Sequence, residues 1–76
     1  LFNSHFIVQQ SGKMCDKLLQ EAGDSVEKQV RTAYQLYYGR PALVEEINDA
    51  TAFVRDHSLA DFCRAMFNSN EFLFTF

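Results

Sequence analysis

The stretch VEKQVRTAYQLYYGRP, residues 26–41, decides the fold class of this chain. Its apolar residues recur at steps of three and four, at Val26, Val30, Ala33 and Tyr37. That spacing places them on one face of an α-helix. Gly39 is a residue type that ends helices without steric penalty, and the Arg-Pro pair after it breaks the helical pattern. The stretch therefore predicts an amphipathic helix that ends at Gly39.

The same periodicity continues toward the N-terminus. A first helix is predicted from Ser4, a good N-cap residue, to a stop at Gly23. Its core stripe comprises Ile7, Met14, Leu18 and Ala22, widened by Val8, Cys15 and Leu19. Asp24 or Ser25 can cap the second helix, and with Asp24 as the cap Glu27 completes an approximate capping box. A second amphipathic helix is therefore expected to follow the first after a short corner.

Two further helices are predicted after Pro41. The third covers residues 42–56, with an apolar face of Leu43, Ile47, Ala50 and Val54 and with Glu45, Glu46 and Asp49 facing water. The fourth follows Ser58 as N-cap and carries Leu59, Phe62, Cys63, Met66 and Phe67. The tail, residues 72–76, forms either a final helical turn packed into the bundle or an extended end that needs a cover.

Composition agrees with an all-α fold. The 76 residues are 47% hydrophobic and include eight Phe and three Tyr, which is enough for a rich core in one small domain. Three Gly and one Pro are too few for the frequent turns of an all-β protein. We predict a small bundle of four amphipathic helices with a short apolar C-terminal tail. It is a single domain over residues 1–76 or the C-terminal fragment of a larger one.

Charge and hydropathy exclude two classes of partner. The net charge is −3, and the seven Lys and Arg residues are scattered along the chain. Nucleic-acid binding normally requires a basic patch, so we expect none. No apolar run is long enough to span a membrane. The chain opens on Leu1 without a signal peptide or an initiator Met, which indicates a piece of a longer protein.

No catalytic, cofactor-binding or metal-binding residues are predicted. His5 and His57 lack partners at metal-ligand spacing, and the acidic residues of the third helix lack the glycine of a calcium loop. Surface or capping roles are expected for the histidines. A small-molecule ligand is not inferred, because aromatic residues at helical spacing are typical of a core.

The cysteines leave two alternatives open. Cys15 and Cys63 are far apart in sequence and form no CxxC motif. They are either buried free thiols, which pack as small apolar side chains, or a disulfide between the first and last helices.

A structural clasp or interaction site is predicted at Arg40, Asn68, Asn70, Glu71 and Phe72. Arg40 follows a helix C-terminus, where a cation is favoured, and Glu71 lies at a turn where an anion is favoured. Each is a lone charge among apolar or turn residues. Arg40 is therefore expected to meet Glu71, or to donate to carbonyls of residues 68–70.

Three segments carry a resemblance to a known family. They are residues 1–4 (LFNS), residues 33–36 (AYQL) leading to 39–41 (GRP), and residues 68–72 (NSNEF). Their order resembles the C-terminal part of a planctomycete-specific domain of unknown function, which accompanies cytochrome-c-like modules in large proteins. The resemblance spans nearly the whole chain. It implies an exported parent protein and supplies no catalytic residues.

We therefore expect a non-catalytic structural or protein-interaction module of a larger exported protein. Its partners would be other domains of the parent chain or another protein. The alternative is an accessory helical subdomain of a redox or hydrolytic enzyme whose site lies elsewhere in the parent chain.

Overall fold

The computed structural model describes residues 3–73, and in that part of the chain it has four α-helices and no strand. The helices are α1 (Ser4–Ala22), α2 (Val26–Ala33), α3 (Val44–Asp56) and α4 (Leu59–Phe67). A π-helical turn, Tyr34–Tyr38, continues α2 without a break. The predicted all-α bundle of four helices is confirmed.

Each helix start is fixed by a local hydrogen bond. The Asn3 side chain accepts a bond from the Phe6 N–H at 2.8 Å. Asn3 is therefore the cap of α1, and the prediction of Ser4 was wrong by one residue. Ser25, one of the two predicted candidates, caps α2, and Ser58 caps α4 as predicted.

The start of α3 differs from the prediction. The helix begins at Val44 rather than at residue 42, and Leu43 is extended and 60% exposed instead of lying in the core. The physical reason is a hydrogen bond from the Leu43 N–H to the Glu46 carboxylate at 2.9 Å. Because Glu46 satisfies this N–H from within the first turn, Leu43 is the cap residue and its side chain faces outward.

The core lies where the apolar faces of all four helices meet. Helix α1 packs against α2 and α4, α2 against α3, and α3 against α4. The buried apolar residues are Met14, Leu18, Val30, Ala33, Ile47, Ala50, Phe62, Cys63, Met66 and Phe67. The predicted widening of the α1 stripe was wrong for Val8 and Leu19, which are 53% and 47% exposed. They lie at the edge of a stripe that α2 and α4 cover only along its centre.

Two buried polar side chains form hydrogen bonds to the backbone, one at the first helix corner and one within α1. Gln29 donates from Nε2 to the Gly23 carbonyl at 2.6 Å, and the Ser11 hydroxyl donates to the Ile7 carbonyl at 2.7 Å. Such pairing offsets the desolvation of buried polar groups. Gly23 has φ +65° and ends α1 as predicted, so the first corner is held by both backbone conformation and Gln29.

The described part of the tail is not helical. After α4 the chain turns through residues 68–71 and returns to the end of the π-helical turn. There the Leu73 N–H donates to the Tyr37 carbonyl at 2.7 Å. The predicted path of residues 74–76 lies outside the described residues. Within residues 3–73 no helix has the length and apolarity to cross a bilayer.

Candidate functional site

The candidate site is built on the π-helical turn. A π-helical segment has a wider turn than an α-helix, and such segments are often found at functional sites. Gly39 follows it in the left-handed region, with φ +71° and ψ 23°. This conformation reverses the chain direction and brings Arg40 beside both the first turn of α3 and the C-terminal segment.

Arg40 uses its whole set of donors within the chain. Toward Glu71, Nε donates to Oε2 at 2.8 Å and Nη2 to Oε1 at 2.9 Å. Toward Glu46, Nη1 donates to Oε1 and Nη2 to Oε2, each at 2.8 Å. Nη1 also donates to the Pro41 carbonyl at 3.2 Å. A guanidinium has five N–H groups, and these five bonds occupy all of them.

We call Arg40, Glu46 and Glu71 the Arg40 clasp. Both carboxylates bind the guanidinium in the two-point geometry that distinguishes arginine from lysine. Hydrogen bonds from Arg40, and then from the Leu43 N–H, lower the pKa of Glu46 to about 2. The Arg40 bonds likewise lower the pKa of Glu71, and bonds to Glu46 and Glu71 raise that of Arg40. All three groups are therefore charged at neutral pH.

Aromatic rings surround the clasp. The guanidinium carbon of Arg40 lies 5.3 Å from the Tyr34 ring centroid and 5.9 Å from that of Tyr38. Both distances are within the range of cation–π attraction. On the C-terminal segment, Phe72 stacks on Tyr37 with centroids 5.8 Å apart and rings 15° from parallel. The ionic Arg40 clasp is thus flanked by aromatic contacts.

The predicted site residues separate into two groups. Arg40, Glu71 and Phe72 come together at the π-helical turn. Arg40 does not bond the carbonyls of residues 68–70, since its remaining donor is directed to Pro41. Asn68 ends α4 instead, where its Nδ2 donates to the Arg64 carbonyl at 3.0 Å. Asn70 is exposed.

Sequence reasoning missed Glu46. It was predicted to face water, yet its side chain is only 27% exposed because it is held between Arg40 and the Leu43 N–H. A signal was present, since Glu46 is three residues after Leu43 and a glutamate at that position commonly bonds back to the cap residue. This signal identifies Glu46 only if the helix is predicted to start at Val44, because Leu43 is then the cap residue.

The cysteines are free thiols. Cys15 on α1 and Cys63 on α4 lie within hydrogen-bonding reach of each other across the helix interface. Burial raises the pKa of Cys63 to about 12 and also raises that of Cys15. Since the thiolate is the nucleophilic form, both groups are poor nucleophiles at neutral pH.

An open cavity of about 330 Å³ lies between the π-helical turn, α3 and α4. Its lining residues are Tyr34, Tyr38, Glu46, Asp49, Ala50, Phe53, Phe62, Ala65 and Met66. It therefore adjoins the Arg40 clasp through the two tyrosines and Glu46. Most of its wall is aromatic or aliphatic, with two carboxylates on one side.

A metal-binding site and a role for the two histidines are the remaining candidates within residues 3–73. No group of three or more His, Cys, Asp or Glu side chains there is arranged to hold a metal ion. His5 is exposed, and the His57 ring packs on Phe53 with centroids 4.6 Å apart. Comparison with family models, with curated proteins and with solved structures finds no match.

Proposed function

We propose that this chain is a non-catalytic structural or protein-interaction module of a larger exported protein. The observation that carries the proposal is the complete use of the Arg40 donors by Glu46, Glu71 and the Pro41 carbonyl. An arginine that recognises a phosphate or carboxylate ligand needs free N–H groups directed at the ligand. Arg40 has none to offer, so its geometry supports a role in holding the chain together.

The clasp joins segments that are distant in sequence. Glu71 is 31 residues from Arg40, and Glu46 belongs to the first turn of α3. The ion pairs therefore tie the end of the π-helical turn, the start of α3 and the C-terminal segment to one point. Phe72 and Leu73 add a stacked ring and a backbone hydrogen bond at the same place. This arrangement supports a module whose C-terminal segment is held in one position.

The segment between Arg40 and Glu46 supplies an apolar surface. Leu43 and Val44 are adjacent in sequence and are 60% and 70% exposed. The Leu43 N–H bond to Glu46 fixes the backbone beneath them. A pair of exposed aliphatic side chains on this backbone is suited to contact another domain of the parent chain or another protein. The resemblance to an exported domain found in large proteins favours the first of these partners.

Amide correlation spectra of the chain, recorded with and without the rest of its parent protein, test this proposal. We expect the resonances of Leu43 and Val44 to shift on mixing. Val44→Thr should reduce the shift, whereas Val8→Thr, the same change at a 53% exposed valine of α1, should leave it unchanged. Spectra that do not change on mixing would contradict the interaction role.

A further inference from the structure

The open cavity has walls suited to one class of ligand. Four aromatic side chains line it: Tyr34, Tyr38, Phe53 and Phe62. Its volume of about 330 Å³ is at the lower end of the range for small-ligand pockets. Neither lysine nor arginine is among the lining residues. The aromatic faces carry partial negative charge, so they attract cations more than anions.

Carboxylates give the cavity its charge. Glu46 and Asp49 are three residues apart on α3, a spacing that places both on one face of the helix. Glu46 is paired with Arg40, but within the described residues Asp49 forms no salt bridge. Asp49 is exposed, and its negative charge would repel an anion and gives no attraction to a neutral apolar group. A cation in the cavity would form an ion pair with the Asp49 carboxylate.

Two of these four rings already contact a cation from outside the cavity. Arg40 lies over the rings of Tyr34 and Tyr38, which are in contact edge to face with centroids 4.9 Å apart. Arg40 does not line the cavity, and its own charge is matched by Glu46 and Glu71. The clasp together with Asp49 therefore has a net negative charge beside the cavity.

We propose that this cavity binds an organic ammonium group, with Asp49 as the counter-ion and the four aromatic rings as walls. The ligands that fit this site share one group, an alkylated or primary ammonium on an aliphatic stem. It can come from a free amine of the choline type or from a lysine side chain of a partner. This site does not depend on the proposed docking role of Leu43 and Val44.

The test is an NMR titration of the chain with choline and with its neutral isostere 3,3-dimethyl-1-butanol. The two probes differ in charge and hardly in shape. Cation–π attraction and the carboxylate should make choline bind roughly 2- to 30-fold more tightly, with shifts at the amides of the lining residues. Nα-acetyl-lysine methylamide is titrated in parallel, and whichever ammonium binds more tightly identifies the source.

Matched variants separate the site from general charge effects. Asp49→Asn should reduce choline affinity toward that of the neutral probe and leave the neutral probe unchanged. Asp24→Asn removes the same charge at an exposed position in the first corner and should have no effect. Thermal unfolding of both variants confirms that they are folded. Equal binding of the two probes, or no shift with either ammonium at 100-fold the protein concentration, would overturn the proposal.

Discussion

Gly39→Ala tests the chain reversal that places Arg40 in the clasp. Gly39 has φ +71° and ψ 23°, a conformation that costs a residue with a Cβ roughly 1–2 kcal/mol. A Cβ there would also lie 2.8 Å from Cδ1 of Leu73. Leu73 is 53% exposed, so the end of its side chain can rotate away and lose its contact with the turn. We expect a loss of about 1–2 kcal/mol from the backbone and a smaller loss from Leu73.

Thermal unfolding followed by far-UV circular dichroism measures this loss. For a domain of this size each kcal/mol lowers the melting temperature by roughly 4–8 °C. Gly12→Ala is the control, because Gly12 lies inside α1 with open space around it. There the same substitution should stabilise the chain by about 0.5–1 kcal/mol, since alanine favours helix.

The two contributions at Gly39 can be separated by a double-mutant cycle. In a Leu73→Ala background the clash is absent, so Gly39→Ala should retain only the backbone loss. A Gly39→Ala variant as stable as the wild type would refute the reasoning. It would mean that the chain does not reverse at Gly39 in the left-handed conformation, and that Arg40 is not placed as described.

Three further predictions follow from the clasp and the core. The pKa of Glu46 is about 2 in the folded chain against an ordinary value of 4.5. The contribution of ionised Glu46 to folding stability is therefore fully present above pH 4.5. It should disappear as the pH falls toward 2, and Arg40→Ala should flatten that acid dependence in chemical denaturation. Iodoacetamide at pH 8 should label native Cys63 far more slowly than the unfolded chain, since its pKa is about 12; equal rates would contradict its burial. Leu18→Ala, at a side chain with no exposure, should destabilise by roughly 3–5 kcal/mol in urea, and a loss below about 1 kcal/mol would place Leu18 outside the core.

Much of the fold could be predicted from local sequence patterns. The spacing of Val26, Val30 and Ala33 predicts a helix because one period repeats along a single element. Gly23 and Gly39 mark helix ends because their backbone conformations have positive φ, and both positions were predicted. Errors occurred at helix starts, where neighbouring residues of similar capping strength compete, as with Asn3 and Ser4.

Only part of the candidate site could be predicted from the sequence. Arg40 and Glu71 were paired in the prediction because each is a lone charge in an otherwise apolar or turn segment, and the structure brings them together. Glu46 was missed because an acidic residue in the first turn of a helix ordinarily faces water. Its half-buried position depends on where Arg40 lies in space, which one-dimensional spacing does not encode.

The sequence by itself determined the elements: four amphipathic helices, their polar corners and the apolar faces that must be buried. These properties are local, since helix period, caps and turns depend on residues within about four positions of each other. Tertiary packing was needed for the two-sided pairing of Arg40 and for the aromatic cavity beside it. Arg40 and Glu71 are 31 residues apart, and the cavity walls come from the π-helical turn, α3 and α4. Such convergence depends on how the helices pack rather than on the pattern within any one of them.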